Sequence, residues 1–358
     1  MKRVPALDGL RGVAAMLPLA HHSWTYRRAP MDVGGIGVDI FLVLSGALLG
    51  TILLDSRGES GWLRRFFWRR ALRIWPLYYV AVGLAYGLAA LIGADVAIPP
   101  WAALTILPMA FAGALTPGGD WGPLAVLWTI GVEEVAYLLL GLAVARLDRV
   151  RLWRALLWTV ALGPAVRLAE AAIWSPEAAY KFTPGRLDAV AFGALVALAL
   201  AESPVLAARI GRTVAPVAWV LSVAMLAGEG GRFLGSAGYV VAAHTITPLA
   251  AAATLAALLG GGAPGLSRAL SWGPLVRIGG ISYGVYLLHP LATEALRALP
   301  GWHWAFGTSS VDPWVSAARV LLVVAVTIPL AALSRWVLEV PVMTWGRERD
   351  RDREARAA

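Results

Sequence analysis

His22 lies inside the first long apolar segment of the chain, Leu7–Tyr26, and Arg11 stands eleven positions before it. An imidazole is costly to hold in an apolar span, so it marks a functional site. Eleven residues make close to three helical turns, which puts both side chains on one helix face about 16 Å apart. One helix thus carries a fixed cation near one end and a titratable base near the other. That pair suits an anionic carrier at one end and proton chemistry at the other.

Few other ionisable residues fall inside apolar segments. Asp8 and His21 share the first one. Asp39 sits in GVDIFLVLSG, Glu133 and Glu134 in LWTIGVEEVAY, and Arg186 and Asp188 in GRLDAVAFGAL; Arg167, Glu170, His244, His289 and Arg319 lie in others. Such groups must face each other or a wet cavity. Matching depth pairs His22 with Asp39, whose carboxylate would orient the imidazole and keep it basic. Adjacent residues on a helix diverge by about 100°, so only one of Glu133 and Glu134 can face the site. By the same divergence, His21 is a packing or headgroup residue. Arg167 and Glu170 are expected to form a local pair. Arg186 and Asp188 are expected to lock helices together, and His244 and His289 to be structural.

These side chains need a scaffold, and composition identifies it. The chain is 59% hydrophobic with a mean hydropathy of +0.68, far above a soluble domain. Its apolar runs are long enough to cross a bilayer. The expected fold is all-α: one polytopic transmembrane helical bundle of about ten spans. They run near 7–26, 34–54, 74–94, 124–145, 155–174, 185–202, 213–228, 239–260, 278–298 and 314–338. Residues 1–341 form the domain and 342–358 a charged tail. The first segment lacks a small-residue cleavage site and reads as a retained span. The stretch 101–115, bracketed by prolines, reads as interfacial or re-entrant.

Charge sets the orientation. With the N-terminus in the cytoplasm, 21 of the 31 basic residues fall in cytoplasmic segments and five, Arg27, Arg28, Lys181, Arg232 and Arg297, in outer loops. That bias puts both termini inside a cell inner or plasma membrane crossed many times. Residues 60–73, SGWLRRFFWRRALR, read as an amphipathic helix on the cytoplasmic face. Arg69, Arg70 and Arg73 there match phosphate geometry.

The absence of cysteine excludes disulfides, Cys-ligated metal and a thiolate nucleophile. No HExxH motif or Cys/His cluster predicts a metal. The net charge of +9 sits in short loops between spans, so it reads as topology and lipid-headgroup contact, not nucleic-acid binding.

Seven stretches, in order, resemble the acyltransferase family 3 membrane proteins, which modify sugars and other hydroxyl acceptors. LDGLRG with Arg11 and His22 resembles the family's Arg-x10-His first span. GVDIFLVLSG supplies Asp39, Phe41, Ser45 and Gly46, and RRALRIWPLYY supplies Arg69, Arg70, Arg73, Pro76 and Tyr78. LWTIGVEEVAYLL supplies Trp128, Glu133 and Tyr137. GRLDAVAFGAL supplies Arg186, Asp188 and Gly193. ISYGVYLLHP supplies Ser282, Tyr283, Tyr286 and His289, and Glu339 with Pro341 closes the pattern. Thr129-Ile130-Gly131 departs from an expected Ser-Leu-Ser. The segment after residue 341 is short and charged, and is not expected to hold the extracytoplasmic hydrolase-like domain of some relatives.

The resemblance implies transfer of an acyl group, acetyl by default, from acyl-CoA to a hydroxyl of a cell-envelope glycan or a secreted metabolite. His22, Asp39 and Glu133 are the implied catalytic residues. Arg11, Arg69, Arg70 and Arg73 would hold the CoA phosphates. Trp128, Tyr137, Arg186, Asp188 and Tyr283 would position substrates. The rival reading is a proton-coupled transporter or acyl-group exporter, since intramembrane His, Asp, Glu and Arg also build proton relays.

Overall fold

A computed structural model describes residues 4–25, 33–96, 98–106, 111, 122–124, 126–228, 236–301, 306 and 312–357, the last six as backbone only. Every regular element among them is helical. In chain order these are α1 (Pro5–Ser23), α2 (Gly34–Ser56), α3 (Trp62–Ile92), α4 (Pro100–Leu104), α5 (Leu127–Arg146), α6 (Arg149–Ile173), α7 (Pro176–Lys181) and α8 (Leu187–Glu202). There follow α9 (Pro204–Gly228), α10 (Ala237–Leu259), α11 (Pro264–Leu270), α12 (Gly273–Gly280), α13 (Ser282–Ala298), α14 (Pro313–Ser334) and α15 (Val340–Ala357).

A long helix coincides with each of the ten expected spans, and the chain is an all-α polytopic membrane bundle. Eight of the helices are long and apolar enough to cross a bilayer on their own. The other two are α1 and α13. The first carries Asp8, Arg11, His21 and His22, and the second is only 17 residues long. They are also the helices that carry His22 and His289. Each is flanked by other helices, α1 by α2, α12, α13 and α14. A polar helix is tolerated in a bilayer when neighbours shield it from lipid.

Small residues let the backbones close. At the α2–α8 crossing, a Cβ on Gly46 would lie 2.0 Å from the Val190 carbonyl oxygen, and one on Gly193 2.0 Å from that of Val43. Without water to drive apolar association between spans, such close approach supplies the packing. It also lays the first turns of α2 against the Arg186 corner that opens α8.

One expectation is corrected. The segment 60–73 is not a separate surface helix, because α3 runs unbroken from Trp62 to Ile92 with Pro76 inside it. Proline removes one backbone hydrogen bond, but the helix continues through it. Beyond the last span, Arg335–Glu339 form a π-helical turn that leads directly into α15, which carries the charged tail. Of the stretch 101–115, the described part is the short α4, residue 111 and the turn after α4, and the rest lies outside the described residues. Lys2, Arg3, Arg27, Arg28 and Arg232, used for orientation, also lie outside them.

Candidate active site

Three cavities follow one another along α1 and α2. An open mouth of about 420 Å³ is lined by Arg65, Arg69, Arg70, Arg73 and Arg347. Arg70 and Arg73 also line a narrower central cavity of about 80 Å³, with Arg11, Ser45, Glu133, Tyr137 and Tyr283. Val38 and Tyr286 divide this from a third cavity of about 210 Å³ lined by His21, His22, Trp128, Tyr180 and Lys181. The cationic and imidazole ends of α1 thus open into different cavities with a shared wall.

His22 does not meet Asp39. Its Nδ1 lies 2.8 Å from Nε2 of His289, with the rings nearly parallel at 16° and centroids 5.1 Å apart. Nδ1 of His289 lies 3.2 Å from the Val285 carbonyl oxygen. A carbonyl only accepts, so His289 carries its proton on Nδ1 and, when neutral, accepts at Nε2. His22 therefore donates from Nδ1, which leaves Nε2 as its lone-pair nitrogen. The His22 ring is exposed to its cavity, while His289 is fully buried. A buried ring thus orients an accessible one and sets its tautomer. His289, expected to be structural, is thus in direct contact with His22. His21 packs edge-on against His22, with centroids 5.0 Å apart.

Asp39 belongs to a separate, fully buried network. One of its oxygens accepts from the Arg186 guanidinium, and the other lies 2.9 Å from His244 Nδ1. Arg186 stacks over Tyr180, which packs against His244 at 4.8 Å between centroids. Arg167 donates to Asp188 at 2.8 Å, to Thr245 Oγ1 at 2.5 Å and to the Gly185 carbonyl. Glu170 instead accepts the Gly185 amide at 3.0 Å, so the expected Arg167–Glu170 pair gives way to Arg167–Asp188. The network ties α2, α6, α8 and α10 together at one level. Arg186, Asp188 and Asp39 line none of the three cavities. The structure therefore brings Arg186 and Asp188 to ion partners, not to an open substrate site. Tyr180 is the contact between this network and the His22 cavity.

In the central cavity, Ser45 donates to Glu133 Oε1 at 2.7 Å, and Tyr137 Oη lies 3.5 Å from Ser45 Oγ. Glu133 is thus the one of the adjacent pair that faces the site, as expected from their divergence. The Arg70 guanidinium stands over the Tyr137 ring at 5.6 Å. Tyr283 donates to the Ile74 carbonyl at 2.7 Å, fastening α13 to α3. Thr129, at the departure from the expected motif, lies 3.1 Å from Tyr286 Oη in the dividing wall. Trp128 faces the His22 cavity and packs on Tyr180 at 4.8 Å. Arg69 pairs with Asp350 at 2.9 Å, whereas no carboxylate lies in ion-pair range of Arg70 or Arg73 among the described residues. No group of His, Asp and Glu suited to a metal occurs among the described residues.

Residues 4–336 match the acyltransferase domain that defines acyltransferase family 3. The chain belongs to acyltransferase family 3. As a member of that family it is an enzyme that transfers acyl groups other than aminoacyl groups. A segment is 42% identical over 86 residues to the peptidoglycan O-acetyltransferase OatA of Listeria monocytogenes, covering 23% of this chain and 13% of that protein. A stretch of 84 residues is 39% identical to the putative peptidoglycan O-acetyltransferase YrhL of Bacillus subtilis, covering 22% of this chain and 12% of that protein. A stretch of 80 residues is 34% identical to the putative acetyltransferase ORF330 of Acidianus two-tailed virus, covering 22% and 23%. Each similarity spans less than a quarter of the relative's length. No solved structure matches this family 3 chain.

Proposed function

We propose that this family 3 enzyme is an O-acetyltransferase that moves acetyl from cytoplasmic acetyl-CoA to a hydroxyl of a cell-envelope carbohydrate or a secreted metabolite, with His22 as general base. The observation that carries the proposal is the His22–His289 pair, a base with a defined tautomer at one end of a cavity series whose other end is cationic. The CoA phosphates rest on Arg70 and Arg73 at the mouth, with Arg11 deeper. The pantetheine arm runs along α1 over the roughly 16 Å between Arg11 and His22. It carries the thioester past Tyr286, which lines both the central and the His22 cavities, to His22.

The acceptor hydroxyl enters the His22 cavity. His22 Nε2 takes its proton as the oxygen attacks the thioester carbonyl carbon. The carbon–sulfur bond breaks, the CoA thiolate leaves and recovers the proton from His22, and the acetyl ester remains on the acceptor. The imidazolium formed in between keeps its Nδ1–H on His289, so the ring does not turn during the step. Glu133, held by Ser45, faces the central cavity and positions the donor arm.

The short similarities to peptidoglycan O-acetyltransferases support a glycan acceptor. The excess of arginine in alternate loops supports a plasma-membrane setting with the mouth on the cytoplasmic side. The test is mass spectrometry of a cell-wall glycan extract incubated with purified enzyme and acetyl-CoA carrying a heavy acetyl group. Heavy acetyl esters on the glycan support the proposal. An unlabelled glycan, with acetyl-CoA intact, refutes the carbohydrate acceptor.

A further inference from the structure

The family match ends at residue 336, yet the chain continues as a helix across the arginine-lined mouth. Helix α15 is seated on α3 at three points. Trp345 packs on Trp68 with centroids 6.0 Å apart. Gly346 lies so close to Leu72 that a Cβ would come within 2.1 Å of its Cδ1. Asp350, only 6% exposed, accepts from Arg69 Nε at 2.9 Å. A carboxylate kept that far from water needs its cation, so the contact fixes the rotation of α15 about its axis.

That rotation turns Arg347 toward the mouth, where it lines the same cavity as Arg70 and Arg73. Its Nε donates to the Met343 carbonyl of its own helix at 3.3 Å. The arginines around this mouth are not equivalent. Arg65 is paired with Glu59 at 2.6 Å, and Arg69 with Asp350. No carboxylate lies in ion-pair range of Arg70, Arg73 or Arg347 among the described residues. Like charges gathered on one cavity repel, and a polyanion between them relieves that repulsion while engaging guanidinium donors.

We propose that Arg347 is a phosphate ligand of the donor site, and that α15 is the wall that completes it opposite α3. The ligand class is a nucleotide with phosphates at two positions, such as the adenosine bisphosphate end of CoA. Three guanidinium groups with no carboxylate partner among the described residues, set on two helices, can hold separated phosphates where one helix alone offers a single row. The inference rests on the proposed donor mouth and adds to it an element that lies outside the family match.

The test is direct binding of adenosine 3′,5′-bisphosphate to the full chain in nanodiscs of neutral lipid, where anionic headgroups do not compete. The wild type is expected to bind, with affinity falling as salt rises. Arg347→Gln is expected to weaken binding about tenfold, the scale of one charge-assisted contact, and Arg347→Lys to recover part of the loss. Gly346→Leu, which lifts α15 off Leu72, is expected to match Arg347→Gln while the bundle still elutes as a single species. Wild-type affinity in Arg347→Gln, or no binding by the wild type, overturns the proposal. Binding with the expected losses, but no acetyl transfer by the wild type, leaves this site standing and removes the proposed reaction instead.

Discussion

His22 Nδ1 and His289 Nε2 lie 2.8 Å apart although 267 residues separate them in the chain. The second ring is anchored to the Val285 carbonyl, so the pair has a direction: backbone to His289, His289 to His22, and His22 Nε2 to the cavity. The residue that orients the proposed base is therefore an imidazole on α13, not the carboxylate on α2.

His289→Ala should lower kcat for acetyl transfer about 100-fold, within the range of lost general-base catalysis, with the acetyl-CoA KM nearly unchanged. The ring lies beyond the Tyr286 wall from the cationic cavity, so donor affinity does not depend on it. Steady-state release of free CoA, measured across donor concentrations, checks this. An unchanged kcat would mean that the His pair serves packing alone.

Asp39→Ala should act on stability. It leaves Arg186 buried without its counter-ion, a loss of about 3–5 kcal/mol. The double variant Asp39→Leu with Arg186→Met removes both charges and should recover much of the thermal midpoint in detergent. If Asp39→Ala instead stays as stable as the wild type but loses activity, the carboxylate has a chemical role that its network does not explain.

The contrast between these two predictions reflects what the sequence can and cannot carry. The spans were legible because bilayer thickness imposes a minimum apolar run, and His22 because a polar ring is conspicuous in one. Seating depth along a helix is also legible, and it brought His22 and Asp39 to the same level. The order of helices around the bundle is not encoded in depth. The Gly46–Val190 and Gly193–Val43 crossing packs α2 on α8, so Asp39 meets Arg186, while α13 lies against α1 and supplies His289. His289 itself stood out only through its motif, because a histidine before Pro290 also suits a plain helix contact. The continuity of α3 from Trp62 was hidden because the arginines up to Arg73 interrupt the apolar run by which a span is read.

Arg70→Gln should raise the acetyl-CoA KM about tenfold and flatten its rise with salt, because a guanidinium with no carboxylate partner is removed from the wall shared by mouth and central cavity. Arg149→Gln is the control. Its partner is Glu202 at 3.0 Å on an exposed surface, and such pairs contribute about 0–1 kcal/mol. Equal KM values for the two variants would remove the phosphate role of Arg70.

Gly46→Leu should prevent accumulation of folded protein. Even a Cβ at this position comes within 2.0 Å of the Val190 carbonyl oxygen, backbone that cannot step aside without opening the α2–α8 crossing. Gly87→Ala, where a Cβ meets nothing within 4 Å, should be tolerated. Size-exclusion profiles of tagged protein in detergent compare the two directly.

The most direct test of the central claim is release of free CoA from acetyl-CoA by purified wild type and His22→Ala, with and without a cell-wall glycan extract. The account predicts glycan-dependent release by the wild type and loss of at least about 100-fold in His22→Ala, with the variant eluting as the wild type does. Wild-type release by His22→Ala would contradict the assignment of His22 as the base.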